Sequence, residues 1–447
     1  MRVNAVLFFF SLFVPLVTST VSRFPEAWEI DESCDKVRKE LDEAFDDART
    51  LIAKARQDLL KVQSKKSLKR KSSTIGDTDW DRIARNLVVT FGLTPPADPF
   101  KNGYDTENEH FKQVSYVIDG LWTGLVKGDP MPNGGYSAQL TKLKKKPLIM
   151  CGQNPWVYYD KMAPDPYDNS KLIHEVFPRV GSELGLGWPG AYIHKHRYEP
   201  AESNLGASIC APGIYGVTQQ KHDMITFCDP VFALKPEKSA VRNADEVKEG
   251  VNIDDAGIAT TSIARVMIHE FAHYYGSRVP EKWDGNPQSA DLRVESVRDS
   301  DAIDKNGCLL YQQKGPGGRV SFVRVDPSGI LPNPKVYGMA FVASIARDNS
   351  NNEHKGKYRK DRKKPDEWSD CQQIRASGPE NATRTAETYA YFAILSYLDK
   401  WDLTPDGRAK ALLQSVSEQP DEDEDGGGRG TKRPKLDDEQ EEDNGEG

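Results

Sequence analysis

The stretch IATTSIARVMIHEFAHYYG, residues 258–276, constrains this chain more than any other. Its apolar residues Ile263, Met267, Phe271 and Tyr274 recur every three or four positions. That is a helical period, with Thr260 or Thr261 expected as N-cap and Gly276 as the stop. Such a helix carries His269, Glu270 and His273 together. At 3.6 residues per turn, positions four apart lie about 40° apart around the axis, so both imidazoles reach one metal ion from one face. Glu270 falls beside them, where a carboxylate can take a proton from an attacking water. The chain has 8 histidines in 447 residues. A chance match to this spacing should then occur in roughly one chain in a hundred, so a zinc site is the stronger reading.

The first residues, MRVNAVLFFFSLFVPLVTST, place Arg2 before an apolar run and end in small residues, the pattern of a secretory signal peptide over 1–20. The run is short and broken by Pro15, and no later stretch has the length of a membrane span, so an exported, extracellular protein without a membrane contact is expected. Six cysteines follow it: Cys34, Cys151, Cys210, Cys228, Cys308 and Cys371. An even number in an oxidising compartment predicts three disulfides. Only Cys210 with Cys228 can be assigned, because they flank what reads as a hairpin. One sequon, Asn381-Ala382-Thr383, offers a glycan acceptor.

The net charge of -8 is concentrated at the C-terminus. Residues 418–447 hold 13 Asp and Glu against 4 Lys and Arg, which leaves the rest of the chain at +1. A nearly neutral body gives no electrostatic case for nucleic acid. The acidic segment 416–447 is too polar to bury a core and reads as a disordered tail, with TKRPK inside it a solvated linker.

Residues 32–64 carry Val37, Leu41, Ala44, Ala48, Leu51, Ile52, Ala55 and Leu59 at helical spacing, a long amphipathic helix. The basic loop KKSLKRKSS follows, then a second helix over Asp79–Phe91; the two are expected to form a shoulder beside the core. From 113 to 235 the pattern changes to short apolar runs: QVSYVIDGLW, KPLIMCG, GAYIHKH, GIYGVTQ and DMITFCDPVFAL, read as strands and loops. Residues 277–335 and 347–380 are loop-rich and read as insertions. A last helix fits ATRTAETYAYFAILSYLDKW, with Ala386, Tyr389, Ala390, Ala393, Ile394 and Tyr397 inward. The fold class is α+β. A small twisted sheet lies against the active-site helix in a zincin-like arrangement, and an edge strand could align a peptide.

These marks, in order, resemble the aspzincin metallopeptidases, the deuterolysin and peptidyl-Lys metalloendopeptidase group. WEIDESC with DEAFDDARTLIAKA resembles the opening helix, MITFCDPVF the strand before the active-site helix, and HEFAH the motif itself. VYG at 336–338 resembles the end of the family's GTxDxxYG, and TAETYAYFA at 385–393 its closing helix. The resemblance spans about 28–400, within a domain expected over 28–405. It implies a secreted zinc endopeptidase acting on protein or peptide substrates, with His269 and His273 as ligands and Glu270 as general base; a monomer is expected. Tyr337 would be the residue whose hydroxyl steadies the oxyanion.

The family's third ligand, the aspartate three residues before that tyrosine, falls here on Pro334, which cannot coordinate metal. Catalytic zinc usually has three protein ligands and a water. Asp326 precedes VYG by an inserted segment, Asp284 stands eleven residues after His273, and Glu295 would match another metallopeptidase clan. A lysine preference would need acidic side chains on the closing helix; Glu387 occupies one such position and Ala390 the other, while a solvated helix carboxylate is the plain alternative for Glu387. The missing aspartate also leaves room for a secreted, non-catalytic interaction protein on a degenerate zincin scaffold.

Overall fold

The computed structural model describes residues 24, 28–68, 77–128, 146–177, 188–201, 209–210, 213–220, 223–234, 238–276, 297–315, 320–324, 331–349, 352–359, 368–372 and 378–412. The expected signal peptide and acidic tail, and Asp284, Glu295 and Asp326, lie outside them.

Near the N-terminus, β1 (Glu29–Ile30) leads through a short 3-10 turn into α1 (Arg38–Gln63). Leu41, Phe45, Ala48, Leu51, Ile52, Ala55, Leu59 and Val62 of α1 are all buried, as their spacing of three or four requires. Next comes α2 (Thr78–Phe91), opened by the Asp77 side chain and closed by Gly92 at φ 69°. This left-handed cap suits glycine, and its φ favours no other residue. These helices are not a shoulder. They share one apolar core with the motif helix and the last helix, where Phe91 packs on Tyr389 and Phe392 at ring distances of 5.0 and 5.5 Å.

QVSYVIDGLW is not a strand. It lies largely within α3 (Glu109–Leu121), whose first amides are capped by the Asn108 side chain. Its alternation suggested a strand, but Phe111, Val114, Val117, Ile118 and Leu121 repeat at helical spacing and all are buried.

The other runs do form strands, and two segments the sequence did not mark, β3 and β5, join them: β2 (Leu148–Cys151), β3 (Val157–Asp160), β4 (Gly190–His194), β5 (Arg197–Ala201), β6 (Gly216–Gln219) and β7 (Met224–Phe227). One sheet has the order β1, β2, β7, β6, with β6 at its edge and antiparallel to β7. Its inner strands β2 and β7 are buried at every residue, which explains sequences that are apolar but for Thr226. A second sheet joins β3, β4 and β5. Three helices complete the frame: α4 (Ile263–Tyr275), α5 (Met339–Ala346) and α6 (Ala386–Tyr397).

Three disulfides are present: Cys210–Cys228 as expected, Cys34–Cys151 and Cys308–Cys371. They are compatible with an extracellular protein. Among the described residues, no helix is long and apolar enough to cross a membrane. The sequon is buried at Asn381, Ala382 and Thr383, leaving no room for a glycan on the folded chain.

Candidate metal centre

α4 starts one residue later than the threonines suggest. Thr260 and Thr261 spend their hydroxyls on the carbonyls of Asp254 and Gly257, so Ser262 is the N-cap, accepting from the Arg265 amide. Gly276 ends the helix as expected. Within α4, His269 and Glu270 are buried and His273 is half-buried.

Each imidazole has one nitrogen committed. Nδ1 of His269 donates to Glu387 Oε2 at 2.9 Å, and Nδ1 of His273 donates to the Val297 carbonyl at 2.7 Å. A carboxylate and a carbonyl only accept, so each Nδ1 carries a proton and each Nε2 is the atom left to face a metal. The two Nε2 atoms are 3.2 Å apart.

The third member is Asp299, which lies inside the stretch expected to be an insertion. Residues 297–300 instead dock on the start of α6. Arg298 exchanges backbone hydrogen bonds with Arg384 and Ala386, and the Ser300 and Thr385 hydroxyls bond at 2.7 Å. This holds Asp299 Oδ1 at 2.9 Å from His269 Nε2 and 3.5 Å from His273 Nε2. Ligands at about 2.1 Å around a tetrahedral metal are spaced about 3.4 Å apart, so these three donors fit one ion. His269, His273 and Asp299 could therefore hold a metal.

Residues 301–335 leave and return through a narrow neck. Val336 N donates to the Ser300 carbonyl at 2.9 Å, Ala302 N donates to Pro334 O at 2.8 Å, and Asp301 bridges Lys335. Tyr337, next beyond the neck, is 41% exposed, with its ring 6.0 Å from that of His269. Gly338 then turns the chain at φ 101°, which only glycine adopts readily, and Met339 N donates to Asp254 Oδ2 at 2.7 Å. Tyr391 on α6 donates to the other oxygen of the same aspartate.

Glu387 is neither solvated nor open to a substrate. It is fully buried, with Arg265 Nη1 at 2.5 Å from Oε1 and His269 on Oε2. A helix buried on every side, as α6 is, leaves its carboxylate no route to water. An incoming lysine ammonium would have to displace Arg265.

The charges favour a cation. Burial pushes His269 down, but Asp299 and Glu387 outweigh it and raise its pKa to about 10. Burial opposes ionisation of Asp299, yet the two imidazoles hold its carboxyl well below the usual range. For Glu270 burial wins and the pKa rises, while the histidines pull the other way. Burial and the nearby Asp299, Glu387 and Glu270 carboxylates push the Tyr337 hydroxyl up, so it keeps its proton.

Glu270 sits against β6. The Thr218 hydroxyl is 2.8 Å from its Oε2, and Gln220 Nε2 donates to the His273 carbonyl at 2.6 Å. Asp299 and Thr218 were not marked by the sequence, because each reaches the site from a different part of the chain; Arg265 stands on α4 itself, but its partner Glu387 does not. No protein-family model matches this chain, and neither a curated protein nor a solved structure does.

Proposed function

We propose that this chain is a secreted zinc metalloendopeptidase of the aspzincin type. The observation that carries the reading is the convergence of His269 Nε2, His273 Nε2 and Asp299 Oδ1, with Glu270 beside them on the same helix. Two imidazoles and a carboxylate suit zinc. The neck supports the family as well. When 301–335 are skipped, Asp299, Ser300, Val336, Tyr337 and Gly338 read D-x-x-Y-G. The aspartate then stands where the family pattern wants it, and Pro334 belongs to the excursion.

Zinc held by these three groups would polarise a carbonyl oxygen and lower the pKa of a water. Glu270 takes the proton of the attacking water and passes it to the departing amine. Its raised pKa brings it closer to the range in which it can do both. Tyr337, protonated and half-exposed at the rim, donates to the carbonyl oxygen as negative charge grows there. An extended peptide adds to the outer edge of β6, which lies along α4. Glu387 gives no basis for lysine preference, since its charge is already matched by Arg265.

The test is metal analysis of purified protein, with cleavage of denatured protein substrates. One zinc per chain is expected, with cleavage abolished by a chelator. His273→Ala should lose the metal, and Glu270→Gln should keep it while losing cleavage. A protein that binds no zinc, or cleaves equally with chelator present, would sink the reading.

A further inference from the structure

β6 does more than border the site. Gly216 and Thr218 are two residues apart on a strand, so they share the face turned to α4. Thr218 Oγ1 lies 2.8 Å from both the backbone carbonyl and Oε2 of Glu270. The carbonyl of an interior helix residue already accepts from the amide four positions on, whereas the carboxylate in this buried place needs a donor. Gly216 faces the same carboxyl. A Cβ built on it would stand 2.7 Å from Glu270 Cγ and Oε1 and 2.8 Å from Cδ. Its φ is not positive, so backbone freedom does not explain the glycine. The space does: the Glu270 side chain fills the volume a larger residue would take.

We infer that Gly216 and Thr218 form the seat that orients the Glu270 carboxylate. They are positioning residues, and the strand on which they stand is also the edge available to an extended substrate. Docking a peptide on the outer edge of β6 therefore fixes the same strand that aims the base. Gln220 extends the lock by bonding the His273 carbonyl, tying strand to helix at its far end. A displacement of about 1 Å in a catalytic group can cost about a hundredfold in rate, so a seat of this kind bears on turnover more than on binding.

This rests on the peptidase reading, and two independent measurements separate them. The first is crystallographic and needs no activity. In Thr218→Val and in Gly216→Ala, the Glu270 carboxylate should leave its place against β6, while Thr218→Ser should keep it there. The obstacle to Gly216→Ala is the end of a flexible side chain, so that variant should fold with Glu270 moved. The second is kinetic, with zinc-loaded protein and an internally quenched peptide that the wild type cleaves. Thr218→Val should lower kcat by about 10- to 100-fold with KM changed less than about twofold and zinc content unchanged. Thr218→Ser should recover most of the rate. A carboxylate unmoved in both Thr218→Val and Gly216→Ala overturns the inference, as does full kcat in Thr218→Val. A wild type that binds zinc but cleaves nothing refutes the peptidase reading alone, and the crystallographic arm still decides the seat.

Discussion

Two histidine–aspartate pairs in this molecule have the same separation and opposite chemistry. His194 Nε2 lies 2.9 Å from Asp31 Oδ2, and His269 Nε2 lies 2.9 Å from Asp299 Oδ1. Asp31 is fully buried and surrounded by donors: His194, Lys195 Nζ at 2.8 Å and the Ser33 amide at 2.9 Å. Lys195 and His196, both at positive φ, form the two-residue turn between β4 and β5, so this cluster pins that hairpin to the chain entering α1. At the other pair the atoms that face one another are ones a metal can take. Both Nδ1 atoms are spent, and two Nε2 atoms meet a carboxylate that is 41% exposed on its side chain. A closed set of donors around an acid is a lock; atoms that a metal can take, open on one side, make a cation site.

Breaking one partner in each cluster should separate these roles. Asp299→Ala should lower zinc affinity by more than about a hundredfold, beyond what losing an outer-sphere partner costs, with little change in the melting of the metal-free chain. Asp31→Asn should do the reverse. A buried pair robbed of one charge costs about 3 kcal/mol, so the Tm should fall clearly while metal content stays at one per chain. Burial raises the Asp31 pKa, but His194 and Lys195 prevail and hold it below its ordinary 3.8. Its stabilisation is therefore complete above that pH and declines as the pH falls, a loss that Asp31→Asn should not show. Denaturation followed against pH, with metal analysis alongside, checks both arms. Metal loss from Asp31→Asn without unfolding would erase the distinction.

Much of the candidate metal centre was legible where one helix contains it. His269, Glu270 and His273 needed only the period of α4, and Gly276 its stop. The third member of the group was not legible, because linear counting back from Tyr337 meets Pro334. Asp299 becomes its neighbour only when the backbone of Ser300 and Val336 closes the neck. The available signal was a group of aspartates at 299, 301 and 304 around the start of a loop-rich excursion, and sequence spacing cannot tell which of them borders the neck. Glu387 misled for a related reason. Its place on α6 was right, but its surroundings depend on Arg265, 122 positions away. The α3 segment failed on period alone: Val114, Tyr116 and Ile118 alternate like a strand, and the Asn108 cap that decides the matter lies before the stretch that was scored.

The outer partner of His269 offers a finer test. Glu387→Gln keeps the size of the side chain but loses the charge that Arg265 neutralises, and an amide accepts less strongly from Nδ1. Zinc affinity should fall by about 10- to 100-fold, measured by competition with a chromogenic chelator. Stability should fall too, since Arg265 would be left buried without its carboxylate. If affinity is unchanged, Glu387 serves only the fold, and the cation site resembles the Asp31 lock more closely than its geometry suggests.

The smallest effect tests the comparison most directly. In the metal-free protein, Asp299 and Glu387 outweigh burial and hold the His269 pKa at about 10, so at neutral pH the ring carries a proton where the metal would sit. A metal needs the Nε2 lone pair, so binding must expel that proton. About one proton per zinc should be released from this ring at pH 7, read by calorimetry in two buffers of different ionisation enthalpy. The sign follows from linkage: because the proton competes, affinity should rise about tenfold per pH unit through the neutral range and level off as the pH passes about 10. Glu387→Gln removes one of the two carboxylates that raise the ring, so it should release less. A wild type that releases none would mean that Nε2 is already free, and that the acceptors at Asp299 do not gather a cation in the absence of metal.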